Sequence, residues 1–229
     1  MDITGPYPEK PAIKKYLLPF VDHFSKYAKI FPVRDQSAST CARIQTLQIV
    51  IRHWSGSNLI RDQGAAFISS FFNETCKCMG IQRSRTSSYH SMSNAYVERM
   101  HQTLNTVLCN YLNQSHTDCD LKVPLFLMAY HSTPHLTAGY SPFFLPHGRE
   151  MVTPANEKLR AKLPRWTQGL EHYIENLKAC LKHAYKAVAK ACRKSHAANK
   201  QRYDRHAKLR SFNVGDYVYL YNPARKPGL

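Results

Sequence analysis

Asp62 and Glu98 are the residues whose types and spacing point to chemistry: two acids with 35 residues between them. Carboxylates are hard oxygen ligands, and sets of them suit magnesium or manganese, which keep several waters. Two ions bridged by carboxylates can activate an attacking oxygen and stabilise a departing one. In-line phosphoryl transfer asks for little beyond such positioning and charge neutralisation. Each acid alone has a plainer reading. An acid in the first turn of a helix complements the helix dipole, and Asp ahead of Gln-Gly is ordinary turn composition.

The elements that position the two acids differ. Ser57-Asn58-Leu59-Ile60 reads as a short strand, and Asp62-Gln63-Gly64 as the turn that leaves it. Ligand sites in open α/β sheets lie beyond the carboxyl ends of strands, where this Asp falls. Val97, Met100, Leu104, Val107, Leu108 and Tyr111 recur in steps of three and four, so they mark the core face of a helix. Ser93 or Asn94 can cap it. Glu98, Gln102 and Asn105 then share another face, with Asn94 one turn earlier.

Several segments together resemble the catalytic core of retroelement integrases of the Ty3/gypsy type, in the retroviral integrase superfamily. Phe20-Val21-Asp22-His23-Phe24-Ser25-Lys26-Tyr27 is similar to that family's second strand. Ile60-Arg61-Asp62-Gln63-Gly64-Ala65-Ala66-Phe67 is similar to its second catalytic block, and Tyr89-His90 through Glu98-Arg99-Met100-His101 to its third. Pro134-His135, Gly139-Tyr140-Ser141-Pro142-Phe143 and Gly148-Arg149-Glu150 resemble the segment after the core, so the resemblance covers nearly the whole chain.

The resemblance implies a ribonuclease H-like α/β fold, with a mixed five-stranded sheet flanked by helices. It implies a triad of Asp2, Asp62 and Glu98 that holds Mg2+ or Mn2+. Asp22 is the competing choice for the first acid, but the family's Asp in that block is not a ligand; the ligand stands one strand earlier, before a Gly-Pro turn. Tyr89 and His90 match family positions that contact DNA, although His90 also reads as a loop histidine without a role. Asn94, Arg99, Gln102 and Asn105 complete the candidate DNA-binding set. The implied reaction is 3′-end processing of DNA followed by strand transfer. The implied partners are element ends and target DNA, with a homo-oligomer as the working form.

The chain departs from the family pattern in places. The family commonly has Pro where Ser88 and Ser91 stand, Gln at Met92 and Tyr96, Gly at Ala95, and Ser at Arg61. Tyr96 adds bulk near the site. Arg61 brings a cation beside Asp62, to compete with metal or to meet phosphate.

Composition supports an anionic partner. The 229 residues carry a net charge of +17. Residues 1–157 hold 15 Lys/Arg against 11 Asp/Glu, a net of +4, whereas residues 158–229 hold 17 against 4, a net of +13. Nucleic acid suits such a tail better than an anionic membrane surface. A 43% hydrophobic content suffices for a core. No apolar run approaches the roughly 20 residues of a membrane span, and no secretory signal opens the chain. A soluble intracellular protein is expected, in the nucleus if it acts on chromosomal DNA. The seven cysteines are scattered, with no zinc-finger spacing, and read as reduced thiols.

Three parts are expected: a core at 1–157, a basic helical linker at 158–210, and the start of an incomplete SH3-like barrel at 211–229. Residues 1–4 should be the end of a central strand that begins in mid-strand, as in a polyprotein fragment. Residues 16–24 and 27–33 read as an antiparallel pair, with a bulge or shortening at Pro19. Ser39 to Trp54 reads as a helix with Cys41, Ile44, Leu47 and Ile51 inward. Phe71–Met79 reads as a second helix and Ile81–Arg85 as the fifth strand. Residues 121–131 read as a helix with Leu121, Leu125, Met128 and Ala129 on one side. Thr167 to about His206 reads as a long helix striped by Leu170, Tyr173, Ile174, Leu177, Leu181, Ala184 and Val188. Phe212–Leu220 alternates like a strand.

Three function classes fit these readings. One is an integrase-type polynucleotidyl transferase with nuclease activity. Another is a DNA-binding remnant without catalysis, decaying or adopted by a host. The third, a ribonuclease H-type nuclease, shares the site chemistry but lacks both the Tyr-His to Glu-Arg block and the basic tail.

Overall fold

In the computed structural model, the described residues are 1–5, 15–53, 58–61, 64–85, 95–111, 119–154, 158, 169–205, 215–217 and 219. Within 95–111, the side chains of 99–107 are described.

A hairpin organises the first half. β1 (Tyr16–Val21) pairs antiparallel with β2 (Ala28–Val33), from Tyr16↔Val33 to Val21↔Ala28. Branched and aromatic side chains suit such a pleated, half-buried surface. Asp22 holds the turn. Its Oδ2 accepts the Ser25 N–H at 2.7 Å and the Ser25 hydroxyl at 2.6 Å. Lys26 closes the turn with φ +62°, and its buried ammonium donates to the His23 carbonyl.

Pro19 causes no bulge, contrary to expectation, because its missing N–H faces away from β2. Backbone groups alternate sides along a strand. Leu17 exchanges both of its hydrogen bonds with Thr4, at 3.0 and 2.9 Å, so Pro19 also faces residues 1–4. The missing donor therefore limits pairing on that side. Residues 1–4, expected as the end of a central strand, make a single bridge to β1. On the far side of this segment, the Met1 nitrogen donates to the Ile60 carbonyl at 3.1 Å. Ile60 lies in β3 (Asn58–Arg61), which pairs parallel with β4 (Gln82–Arg85). The named strands among the described residues thus form two two-stranded sheets, with residues 1–4 hydrogen-bonded to both.

Helices cover both faces. Successive strand side chains point to opposite sides. Leu18 and Phe20 pack on Cys41, Ala42, Phe67, Phe72 and Cys76, which come from α1 (Ala38–Ile44), α3 (Ala65–Ile68) and α4 (Ser70–Cys78). Leu17, Ala28 and Ile30 pack on Met100, Leu104, Val123 and Phe126, from α5 (Ala95–Tyr111) and α6 (Cys119–Ser132). Burying each such side chain contributes roughly 1.5–3 kcal/mol.

Two helix faces differ from the sequence reading. α1 starts at Ala38, where the Ser37 hydroxyl accepts the Thr40 N–H, and passes through a π-helical stretch, Gln45–Val50, into α2 (Ile51–His53). The wider π turn shifts the face. Gln45 is buried, with Ile49 and Val50 partly so, while Leu47 and Ile51 are exposed. α6 is apolar around its circumference, so periodicity gives it no inward face. Val123 and Phe126 are buried, while Leu121 and Leu125 are exposed.

His131 ties α6 to β2. Its Nε2 lies 2.9 Å from the Ala28 carbonyl oxygen, and its ring stacks on Tyr27 at 4.2 Å between centroids. Burial pulls its pKa down to about 4, so the ring is neutral at pH 7.

After α7 (Phe144–His147), α8 (Leu170–Asp204) runs for 35 residues. It docks through Ala184 and Val188 on Ala138 and Leu145, and the Tyr185 hydroxyl donates to the Leu145 carbonyl at 2.8 Å. Leu177 and Leu181 are half-buried, while Leu170 and Ile174 at the head of the expected stripe are exposed. Of the expected strand Phe212–Leu220, only 215–217 and 219 are described, and they are not in a strand.

Candidate active site

Asp2 sits where the first segment, β3 and α5 meet. The neighbouring backbone is held on both sides, by Thr4–Leu17 and by Met1–Ile60. Its Oδ1 accepts the Ile3 N–H at 2.7 Å. Its Oδ2 lies 3.8 Å from His101 Nδ1, and both side chains are largely enclosed, at 19% and 13% exposure. His101 therefore brings α5 to Asp2.

That histidine was not singled out in the sequence, although a signal existed. His101 follows Glu98 by three residues, and residues three apart on a helix are surface neighbours. The position of Glu98 is thus one turn from the residue that faces Asp2, on the same flank of α5. The Glu98 side chain lies outside the described residues. So does Asp62, next in sequence to the last residue of β3. Among the described residues, no group of three or more His, Cys, Asp or Glu converges as a metal site. Of the three expected ligands, Asp2 is the one whose side chain is described, and its carboxylate is the kind of hard oxygen donor that Mg2+ or Mn2+ takes.

The competing Asp22 is engaged elsewhere. Its Oδ2 accepts two hydrogen bonds from Ser25 inside the hairpin turn.

Arg61 corrects an expectation. It does not reach out to phosphate: the side chain is fully buried, donates to Asn73 Oδ1 at 3.1 Å, and lies over the Phe72 ring at 5.8 Å. Alternation along β3 turns it toward α4, away from the side a residue after it would take.

On α5, Met100 and Leu104 are buried and Val107 is partly buried, as the spacing predicts. Arg99, Gln102 and Asn105 are exposed. Of the remaining DNA-binding candidates, Tyr89, His90 and Asn94 lie outside the described residues.

Residues 1–91 match the family model of the integrase core domain. The chain is 26% identical, over 223 residues and 97% of its length, to the retrovirus-related Pol polyprotein from transposon 412 of Drosophila melanogaster. It is 27% identical, over 209 residues and 90% of its length, to the Pol polyprotein of radiation murine leukemia virus (strain Kaplan). It spans only 18% and 34% of those two polyproteins. Its fold is similar to that of the HTLV-2 integrase catalytic core domain in complex with magnesium (trimeric form). The TM-score is 0.50 at 19% identity, covering 64% of this chain and 94% of that one. The chain is therefore ribonuclease H-like in fold. Among its described residues no helix is long and apolar enough to cross a membrane.

Proposed function

We propose that this integrase core is the catalytic part of a retroelement integrase, a polynucleotidyl transferase that processes DNA 3′ ends and joins them to target DNA. The observation that carries the reading is the surroundings of Asp2: hydrogen-bonded backbone beside β3, and a carboxylate turned to α5 one turn from Glu98. A parallel ladder continued from the Met1–Ile60 bond pairs Met1 with Arg61 and Asp2 with Asp62. Neighbouring strands lie ~4.8 Å apart. On this reading residues 1–4 are the middle strand of a five-stranded sheet, with β1 and β2 on one side and β3 and β4 on the other.

Asp2, Asp62 and Glu98 would hold Mg2+ or Mn2+, which supplies charge neutralisation at the phosphate and a more acidic attacking hydroxyl or water. The three carboxylates orient on a rigid frame of sheet and helix. His101 steadies Asp2. Tyr89, His90, Asn94, Arg99, Gln102 and Asn105 flank the site and meet the DNA backbone. The division into a core at 1–157, a basic linker at 158–210 and a barrel start at 211–229 belongs to the same proposal. So do a homo-oligomeric working form and action in the nucleus.

The test is a strand-transfer assay with element-end and target oligonucleotides in Mg2+ or Mn2+. The expected result is joined product that disappears on chelation and with Glu98→Gln. Duplex binding with no joining by the unaltered chain, in either metal, leaves the binding-only reading in its place.

A further inference from the structure

Basic side chains from β2, α2 and α7 gather round Tyr27. Tyr27 immediately precedes β2, and Lys29, two residues on, takes the same side of the chain. The His53 ring of α2 lies 6.4 Å from the Tyr27 ring, and the His147 ring of α7 lies 5.4 Å from it. Arg52 stands beside His53 in α2. Tyr27 and Lys29 are half-buried, whereas Arg52, His53 and His147 are exposed. His147 is held by its own helix: its ring stacks on Phe143 at 4.0 Å, and its Nδ1 lies 2.9 Å from the Phe143 carbonyl oxygen. A carbonyl only accepts, so Nδ1 carries the donated proton and Nε2 is the nitrogen that gains one on ionisation.

This cluster is apart from Asp2. Lys29 is the cross-strand partner of Phe20 and shares its face, the one packed on α1, α3 and α4. Met1 packs there too, so Asp2, the next residue, turns to the opposite face.

The charges round Tyr27 are of one sign. Burial lowers the His53 pKa, and the fields of Lys29, His147 and Arg52 lower it further. Burial and then Arg52 lower that of Lys29. His131 of α6 is shifted mainly by burial, against its bond to Ala28, and then by His147 and Lys29. Among the described residues no carboxylate acts on any of these three, and neither Lys29 nor Arg52 forms an ion pair. Composition does not explain this, because residues 1–157 hold 11 acids against 15 Lys/Arg. A merely solvated surface of that composition intersperses the two signs. Like charges held together disfavour one another, and an anion seated among them relieves that cost.

The charge count selects the anion. Lys29 and Arg52 bring two positive charges at neutral pH, and each exposed histidine can add one when an anion approaches. A single carboxylate leaves most of that charge unanswered. A phosphate group, with close to two negative charges and three acceptor oxygens, answers it.

We propose that Lys29, Arg52, His53 and His147 form a binding site for a phosphate-bearing anion, on the face of the sheet opposite Asp2. The site goes beyond strand transfer and does not depend on the three carboxylates.

The test is calorimetric titration of the full chain, stripped of metal ions on a chelating resin, with inorganic pyrophosphate at low salt. The expected result is saturable binding at one site. Arg52→Gln should weaken it by about 10-fold or more, the share of one charge-assisted hydrogen bond, and so should the paired His53→Gln and His147→Gln variant. Lys186→Gln, on the exposed side of α8, should leave it unchanged. Sulfate, a dianion that does not titrate near neutrality, should bind more tightly at about pH 6 than at about pH 8, because the histidines take up protons as it binds. A phosphoserine peptide titrated alongside separates a phosphate ester on a partner from free phosphate, and the tighter ligand names the source. Melting temperatures check that the variants stay folded. No saturable binding, unchanged binding by both folded variants, or an equal loss from Lys186→Gln overturns the site. A glutamate peptide that binds at these residues more tightly than either phosphate probe overturns the class of ligand. No metal is present and Glu98→Gln should leave the titration unchanged, so failure here leaves the strand-transfer reading standing.

Discussion

Asp2 and Asp22 both lie alongside β1, and the fold uses them differently. Asp22 is consumed locally: one carboxylate oxygen takes two donors from Ser25, three residues away. Asp2 reaches across the chain, with an oxygen 3.8 Å from His101, 99 positions later. The difference separates an acid engaged within its own turn from one that faces a distant element. A carboxylate oxygen held by two donors of its own turn is less available to a metal, whereas one that meets a distant element sits where several parts of the chain converge.

Breaking the Asp2 side should have the largest effect. Asp2→Asn or Glu98→Gln should lower metal-dependent strand transfer by at least about 10²-fold while duplex binding in EDTA persists. Equal loss from Asp22→Asn would erase the distinction.

His101→Ala sharpens the contrast. If His101 steadies Asp2, its removal should raise the Mn2+ concentration for half-maximal joining by about 10–100-fold, as loss of a supporting partner of a metal ligand does. A normal metal titration with a lowered melting temperature would make His101 a packing residue only.

Asp22→Ala probes the other end. Losing the two hydrogen bonds should destabilise the fold by about 1–3 kcal/mol in urea unfolding. Joining per folded molecule should stay unchanged.

The smallest effect is on acid stability. The folded His131 pKa, about 4, lies below its ordinary 6.5. The unfolded chain therefore binds the proton first as pH falls. Stability is fully present above pH ~6.5 and, allowing for solvent screening, drops by about 1 kcal/mol between there and pH ~4. His131→Phe should flatten that part of the urea-midpoint profile.

Much of this was legible in the residues. The α5 core face followed from Met100 and Leu104, because a strongly amphipathic helix declares its buried side. The hairpin declared itself through its aromatic and branched runs. Where reading failed, the cause was local. α6 is apolar all round, so Leu121 and Leu125 looked as inward as Val123 and Phe126. The π turn in Gln45–Val50 shifted a face that a 3.6-residue period cannot track. Pro19 was expected to bulge or shorten its own strand and instead limits pairing with residues 1–4, because which side its nitrogen faces is set by the strand partners. Arg61 read as a competitor of the metal or a phosphate contact because a cation beside an acid suggests chemistry. Alternation along β3 sends it into the core instead, onto Asn73 and Phe72. His101 was missed because a histidine at the third position after an acid gains meaning only once Asp2 is known to lie against it.

The most direct measurement is anomalous diffraction from crystals of the chain soaked in Mn2+. The account predicts manganese density bounded by the carboxylates of Asp2, Asp62 and Glu98, absent in Glu98→Gln crystals. Manganese at Asp22, or those three carboxylates ordered and turned apart, would contradict it.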